Sequence, residues 1–405
     1  MTKKRVLIAI TNRSSYNKVK TVIANLPEHI EPELLLGGSV YLYQYGDVGK
    51  IIEDDFPDIK KWKVSMMVEG DTNTKMPMSV GVGCLGISTI LDNNKYDLIV
   101  TVADRFETLA TATAASYTNI PLAHIQGGEI SGTIDDKVRN AITQLADYHF
   151  PATYDAADRV ANMKMQDMER IWSFGCPSMD IMISNPIVKR IYTNRAQGYF
   201  SYNHFEGMLW KELIPVLSGS INRHGVGPDI DFSKKYIIIM MHPDTTGDTV
   251  NDEHMAVVME ALNNFGCQKI IFWNNIDPGG NIIAKNWRMS QHDFWKDKTK
   301  YIRHVTADVF GALMINAEMI VGNSSAGIRE ATFFGTPSVS IGERQKGRDH
   351  GINVRYSSFS YSELMHCMEA SQSMIIIPND MYGFGNAGKK IADKVGDIVY
   401  ERLVG

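Results

Sequence analysis

AEMIVGNSSAGIREATFFGTPSVSIGER, residues 317–344, runs from a short apolar stretch through a glycine-and-serine corner into a helix-length segment, 326–335, and on to a second apolar stretch. Strand, helix, strand in that order is the repeating unit of a parallel sheet, because parallel neighbours need a crossover connection. The pattern recurs outward along the chain. RVLIAI (5–10), DLIVTVAD (97–104), IPLAHIQGGE (120–129), KYIIIMMHPD (235–244) and KIIFWNNID (269–277) each end in a polar or glycine-rich corner. Helix-length segments such as 105–118 lie between such runs. Near-continuous apolar strands alternating with helices predict parallel sheets covered on both faces. The pattern appears before about residue 150 and again after about 235, so two doubly wound α/β domains are expected. A length of 405 residues suits that division. Segment 184–234, rich in turn residues, reads as an irregular connection.

A net charge of −5 offers no global attraction to nucleic acid or anionic lipid, so any phosphate must be held by local groups. No stretch reaches the length of a membrane span, and the N-terminal apolar run is too short for a signal peptide. Cys84, Cys176, Cys267 and Cys367 are too widely spaced for a zinc knuckle or a disulfide framework, which predicts a reduced, cytoplasmic protein. Eleven histidines show no metal-ligand spacing, and neither a metal nor another cofactor is expected. GVGCLG (81–86) fits a dinucleotide fingerprint as a string but follows no strand, so its glycines are read as helix-packing residues. Asp229 and Asp231 resemble a metal-binding acid pair but fall in the connection, and are read as solvated loop.

In open α/β sheets ligands bind beyond the carboxyl ends of strands. The polar clusters fall there: Arg13, Asp104 and Arg105, Gln126 to Glu129, His242, Asn275, the corner Gly322-Asn323-Ser324-Ser325, and Arg344. Clusters from two domains predict a cleft. The 322–325 corner suits either a phosphate, through exposed N–H groups at a helix start, or an ordinary N-cap. Glu330 is placed about one and a half turns into that helix, where it can accept from a ribose diol. Each arginine can grip phosphate oxygens or form a surface ion pair. Asp104 is either a cleft acid or a structural partner, and His242 either faces the cleft or is a satisfied core histidine. Asp135 and Asp136 cluster with Glu129, and Asp136 equally suits a helix start.

The blocks NRSSY, ADRFETLATA, HIQGGEISGTIDDKVRNAITQLADYH, GCPSMD, HPDTT, NID and VGNSSAGIREATFFGTP…GERQKGR together resemble the hydrolysing UDP-N-acetylglucosamine 2-epimerases. That family includes bacterial enzymes of sialic acid synthesis and the epimerase half of a bifunctional animal enzyme. The resemblance spans about residues 5 to 355. It implies a GT-B-like α/β fold of two Rossmann-type domains, 1–177 and 178–380, with a final helix in 381–405 returning to the first. It implies a UDP-sugar substrate, no cofactor, no nucleic-acid or membrane partner, and a homodimer or homotetramer. Ser324 and Ser325 would meet the diphosphate and Glu330 the ribose. Arg13, Asn17, Arg105, His124, Arg139, Asn275, His304, Gly322, Asn323 and Arg344 would line the substrate. Asp104, Gln126, Glu129, Asp135 and His242 would occupy the catalytic positions. Two positions depart from the animal enzyme. Gln126 stands where it has a catalytic Glu, and Ser15 where it has an Asp. An amide cannot exchange a proton as a carboxylate does, so Glu129, Asp104 or Asp135 must take over any relay.

The implied activity releases UDP and a free sugar inverted at C2, of N-acetylmannosamine type, from UDP-N-acetylglucosamine or a close relative such as UDP-diacetylbacillosamine. Sialic or related nonulosonic acid synthesis is the implied use. The rival expectations are a nonhydrolysing 2-epimerase, a GT-B glycosyltransferase and a nucleotide-sugar-binding protein without turnover.

Overall fold

The structure, a computed structural model, describes residues 3–42, 48–69, 74–131, 134–164, 168–198, 204–243, 250–274, 280–293, 299–374 and 377–401. Its apolar runs form two six-stranded parallel sheets. The first contains β1 (Lys4–Ile10), β2 (Ile30–Leu36), β3 (Lys60–Lys63), β4 (Leu98–Val102), β5 (Leu122–Ile125) and β6 (Tyr148–Phe150), in the order β3-β2-β1-β4-β5-β6. The second contains β7 (Tyr236–Met240), β8 (Gln268–Phe272), β9 (Thr299–Ile302), β10 (Met319–Gly322), β11 (Ser338–Ile341) and β12 (Val354–Ser357), in the order β12-β11-β10-β7-β8-β9. Counted along the chain, the two orders are the same. Each reverses once, between β1 and β4 and between β7 and β10, and each reversal leaves a crevice where ligands bind in such sheets.

Alternation along β1 explains the layering. Val6, Ile8 and Ile10 join one buried cluster, while Leu7 and Ala9 join another on the opposite face. Both faces are covered by helices, so the strand is apolar throughout.

The described chain divides into two compact units, one of residues up to 130, 134–180 and 382 onward, the other of 181–381 with 131–133. The last helix, Ala387–Glu401, belongs to the first unit and contributes Ile391, Val395 and Val399 to its core. Asp180 anchors its start, accepting from the backbone N–H of Ala387 at 3.0 Å and Gly388 at 2.7 Å, and from Thr21 Oγ1 at 3.1 Å. No helix among the described residues is long and apolar enough to cross a membrane.

Segment 184–234 is not irregular. It holds the helices Pro186–Ala196 and His204–Ile221. Leu209, Leu213, Leu217 and Ile221 are buried at four-residue spacing, an apolar stripe that the surrounding polar and turn residues obscure in the sequence. Asn185 caps the first of these helices and Pro186 opens it. The turn after the second is held by the buried Lys300, which donates to the carbonyls of Asn222 at 3.0 Å and Gly227 at 3.1 Å and pairs with Asp229 at 3.2 Å. The GVGCLG glycines lie inside the helix Lys75–Asn93. A Cβ on Gly83 would come within 2.4 Å of Met66 Cε, and one on Gly86 within 2.9 Å of Val64 Cγ1, so those two allow close packing.

Candidate functional site

At the first reversal, β1 ends at Ile10 and Asn12 caps the helix Arg13–Ala24. The cap is reciprocal: Ser15 N–H donates to Asn12 Oδ1 at 2.8 Å, and Asn12 N–H donates to Ser15 Oγ at 3.0 Å. Ser15 is therefore a structural residue in this chain. Arg13 opens the helix, half-buried, with Asn17 half-buried one turn later. Burial lowers the Arg13 guanidinium below its ordinary range, and no acid among the described residues offsets the effect.

β4 ends at Val102, and Ala103 then turns the chain with φ of 64°, a left-handed conformation unusual for a residue with a Cβ. Asp104 and Arg105 follow. Arg105 Nε meets Glu107 at 3.3 Å and its head remains exposed. The buried Arg139, on the helix Ile134–Leu145, pairs with Asp104, pairs with Asp136 at 2.5 Å and donates to the Glu129 carbonyl at 2.5 Å. Burial alone would lower the Arg139 guanidinium, but Asp104, Glu129 and Asp136 outweigh it and raise it. Asp135 precedes Asp136 on the same helix, half-buried.

β5 ends at Ile125, and Gln126 repeats the left-handed turn with φ of 66°. Its side chain is buried. Nε2 donates to Cys176 Sγ at 2.9 Å, and Cys176 Sγ lies 2.8 Å from Ser178 Oγ. Oε1 has no partner among the described residues. His124, one residue before the strand end, is 0% exposed. Burial pushes its imidazole down to about 4.

The second reversal uses different groups. Asn323 brackets the ends of β7 and β10: its Oδ1 accepts from His242 N–H at 2.7 Å and its Nδ2 donates to the His242 carbonyl at 2.8 Å. Gly322 has φ of 142°, and a Cβ there would lie 2.1 Å from the Met240 carbonyl oxygen. Only glycine lets these strand ends approach so closely. The Asn323 carbonyl accepts from Arg344 Nη1 and from Gln345 Nε2, each at 2.9 Å. Burial, and then the Arg344 charge, push His242 down to about 3. It is neutral at pH 7, so it offers one N–H donor rather than a charge.

The expected helix 326–335 is instead a short 3-10 turn, Ser325–Gly327, followed by the helix Arg329–Phe334. Ser324 Oγ accepts from Ala326 N–H only two residues on, and Gly327 N–H donates to the Ser324 carbonyl at 3.1 Å. These contacts tighten the first turn. Ser324 is thus a capping residue, and Glu330 stands in the first turn of the helix rather than deeper. Ser325 is half-buried, and His304 is exposed just beyond β9. Asn275 lies outside the described residues.

Within the first unit the structure brings together Asp104, Arg139, Glu129 and His124; within the second, His242, Gly322, Asn323, Ser324 and Arg344. Sequence reasoning missed Gln345, Cys176 and Thr143, which act through buried side-chain bonds that leave no periodic signal. It also missed His149, aligned with His124 on the neighbouring strand and fully buried.

Two parallel sheets with one topology, each with its polar groups at the reversal, define an α/β protein with a GT-B-like fold. The family model described as UDP-N-acetylglucosamine 2-epimerase matches residues 25–396, and the chain belongs to that family. It is 26% identical over 392 residues to a Legionella pneumophila UDP-N,N'-diacetylbacillosamine 2-epimerase (hydrolyzing), covering 96% of this chain and 94% of that protein. It is 26% identical over 376 residues to a Neisseria meningitidis UDP-N-acetylglucosamine 2-epimerase, covering 92% and 88%. The solved structure of UDP-GlcNAc 2-epimerase from Neisseria meningitidis bound to UDP-GlcNAc has the same fold. The TM-score is 0.70 at 15% identity, over 96% of this chain and 99% of that one.

Proposed function

We propose that this family member is a hydrolysing 2-epimerase acting on UDP-N-acetylglucosamine or UDP-diacetylbacillosamine. The observation that carries the reading is at the first reversal. Arg13, an arginine with no offsetting acid among the described residues, shares that crevice with Asp104, a carboxylate held by a buried arginine. The first suits a departing diphosphate and the second suits proton transfer. The hydrolytic outcome draws support from the likeness to the Legionella enzyme.

The C2 proton of the sugar is not next to a carbonyl, so its removal needs the UDP to depart in the same event. A carboxylate takes that proton, the C–H electrons form the C1=C2 bond, and the C1–O bond to UDP breaks. The products of this step are UDP and a 2-acetamidoglucal. Water then adds, its hydroxyl to C1 and a proton to C2 from the opposite face, giving the inverted free sugar. Asp104, Glu129 and Asp135 are the proposed acid–base groups. Gln126 carries no proton for this chemistry, since its amide is turned onto Cys176. Arg13 and Arg105 are the proposed phosphate groups of the first unit, and Arg344 and the N–H groups around Gly322 to Ser325 those of the second. His242 donates one hydrogen bond, Glu330 accepts from the ribose, and Asn17 and His304 complete the binding set. Preorganised donors at the leaving group supply most of the acceleration, and the positioned base adds a factor of about 10² to 10⁴.

The test is proton resonance of the reaction in D₂O with both substrates. Free UDP, a C2-inverted free sugar and deuterium at C2 are expected. Return of an inverted UDP-sugar without free UDP overturns the hydrolytic step, and absence of any product overturns catalysis.

A further inference from the structure

We infer that His124 and Arg139 are positioning residues that aim Asp104 from two sides, and that neither touches the substrate. The inference rests on the proposed acid–base role of Asp104. Ala103, immediately before Asp104, is held left-handed at φ 64°. Such a conformation persists only where its surroundings fix it. Two bonds do so: Ala103 N–H donates to the Ile125 carbonyl at 2.9 Å, and His124 Nε2 lies 2.8 Å from the Ala103 carbonyl oxygen. A carbonyl only accepts, so Nε2 carries the proton. The buried ring is neutral, which leaves Nδ1 as an acceptor, and Thr143 Oγ1 donates to it at 3.2 Å.

Thr143 and Arg139 are four residues apart on the helix Ile134–Leu145 and so share a face. That helix therefore reaches Asp104 by two routes. One runs through the backbone, from Thr143 to His124 to Ala103. The other runs through the side chain, from the Arg139 guanidinium to the Asp104 carboxylate. His124 is 0% exposed and Arg139 1%, so neither presents a surface to a ligand. Asp135 rides on the same helix, and the two arms together fix Asp104 relative to it. The other charged or titratable groups around the pair are Asp136 on that helix, Glu129 beyond β5, His149 on β6 and Arg105 next to Asp104.

Substitution separates a positioning role from a binding one. His124→Leu should lower kcat by about 10²-fold, the loss a misplacement of about 1 Å causes, with KM nearly unchanged. His124→Gln, which can restore a donor towards Ala103, should recover most of that loss. Thr143→Val should lower kcat several-fold at constant KM. Arg139→Met should move the acid limb of the kcat/KM profile up by about 1–3 pH units as Asp104 loses its counter-charge, and Arg139→Lys should return it. A tenfold rise in KM at unchanged kcat for the His124 variants overturns the inference, as does a Gln variant no better than Leu. Should Arg139→Met fail to fold, His124→Gln and Thr143→Val decide the matter. A wild-type protein that releases no UDP defeats the functional reading alone. Nitrogen resonance of the His124 ring in the full chain then tests the clamp. The neutral Nε2–H form, perturbed by Thr143→Val, supports it; an Nδ1–H ring sinks it.

Discussion

The two units share one strand order and place their polar groups at equivalent reversals, yet they fill those places with opposite chemistry. The first uses charge: Asp104, Asp136 and Arg139 are tied together, and Arg13 opens the helix after the neighbouring strand β1. The second relies mainly on backbone and amide, through Gly322, the Asn323 bracket and the Ser324 cap, with Arg344 donating to the Asn323 carbonyl. One topology thus carries a cluster of paired charges at one crevice, and glycine, amide and hydroxyl groups with Arg344 beside them at the other. The fold supplies the place, and the residues at two strand ends supply the chemistry.

The contrast is broken most directly at Asp104. Asp104→Asn should lower kcat by about 10² to 10⁴ while leaving UDP affinity, read by calorimetry, essentially intact; a parallel loss of UDP binding would mean that the division is false. In the second unit, Gly322→Ala should cost more than about 3 kcal/mol in denaturant unfolding, because the new Cβ meets the Met240 carbonyl at 2.1 Å. An unchanged midpoint would show that the strand ends separate freely. Asn323→Ala should cost about 2–3 kcal/mol, since both bonds to the His242 backbone are buried, and it should weaken UDP more than it lowers kcat.

Acid titration sharpens the comparison further. His124 sits at about 4, and His149 and His242 at about 3, each lowered by burial from an ordinary value near 6.5. The unfolded chain takes up these protons first, so stability is fully present above about pH 6.5 and falls as pH drops towards the folded values. Each histidine contributes up to about 1.4 kcal/mol per pH unit across that window. Two of the three lie in the first unit, which should be the more acid-sensitive. His149, whose ring nitrogens have no partner among the described residues, is the cleanest probe. His149→Leu should flatten the pH dependence of unfolding, and an unaltered slope would contradict its buried neutral state. The smallest effect is expected at Ser15, where Ala removes half of the capping box and about 1 kcal/mol.

Much of this was legible in the sequence. The apolar strands β1, β4, β5, β7, β8, β10 and β11 stand out because helices cover both their faces. The strands that do not are short, or lie at sheet edges, or carry charge. β3 reads KKWK, and β2 carries Glu33, whose buried carboxylate accepts from Trp62 at 2.6 Å and Tyr96 at 2.7 Å and pairs with Arg5 at 2.5 Å. No periodicity announces an acid that is paid for by three distant donors. The strand-end positions of Asp104, His242 and Asn323 were likewise readable. The direction of a side chain was not. His124 and Arg139 read as ligands in a string of letters, whereas in the fold one bonds the Ala103 carbonyl and the other pairs with Asp104. Gln126 is similar: the amide that spoils an expected relay also ties β5 to Cys176.

The return of the helix Ala387–Glu401 also governs the timing of folding. Ile391, Val395 and Val399 complete a core whose other members, Val6, Ile8 and Val22, leave the ribosome long before them. Synthesis is vectorial, and domains otherwise tend to fold from the N-terminus. Here the part of the core that this helix covers stays open until the second unit has been made. The Asp180 cap is then the latch that closes the unit begun first.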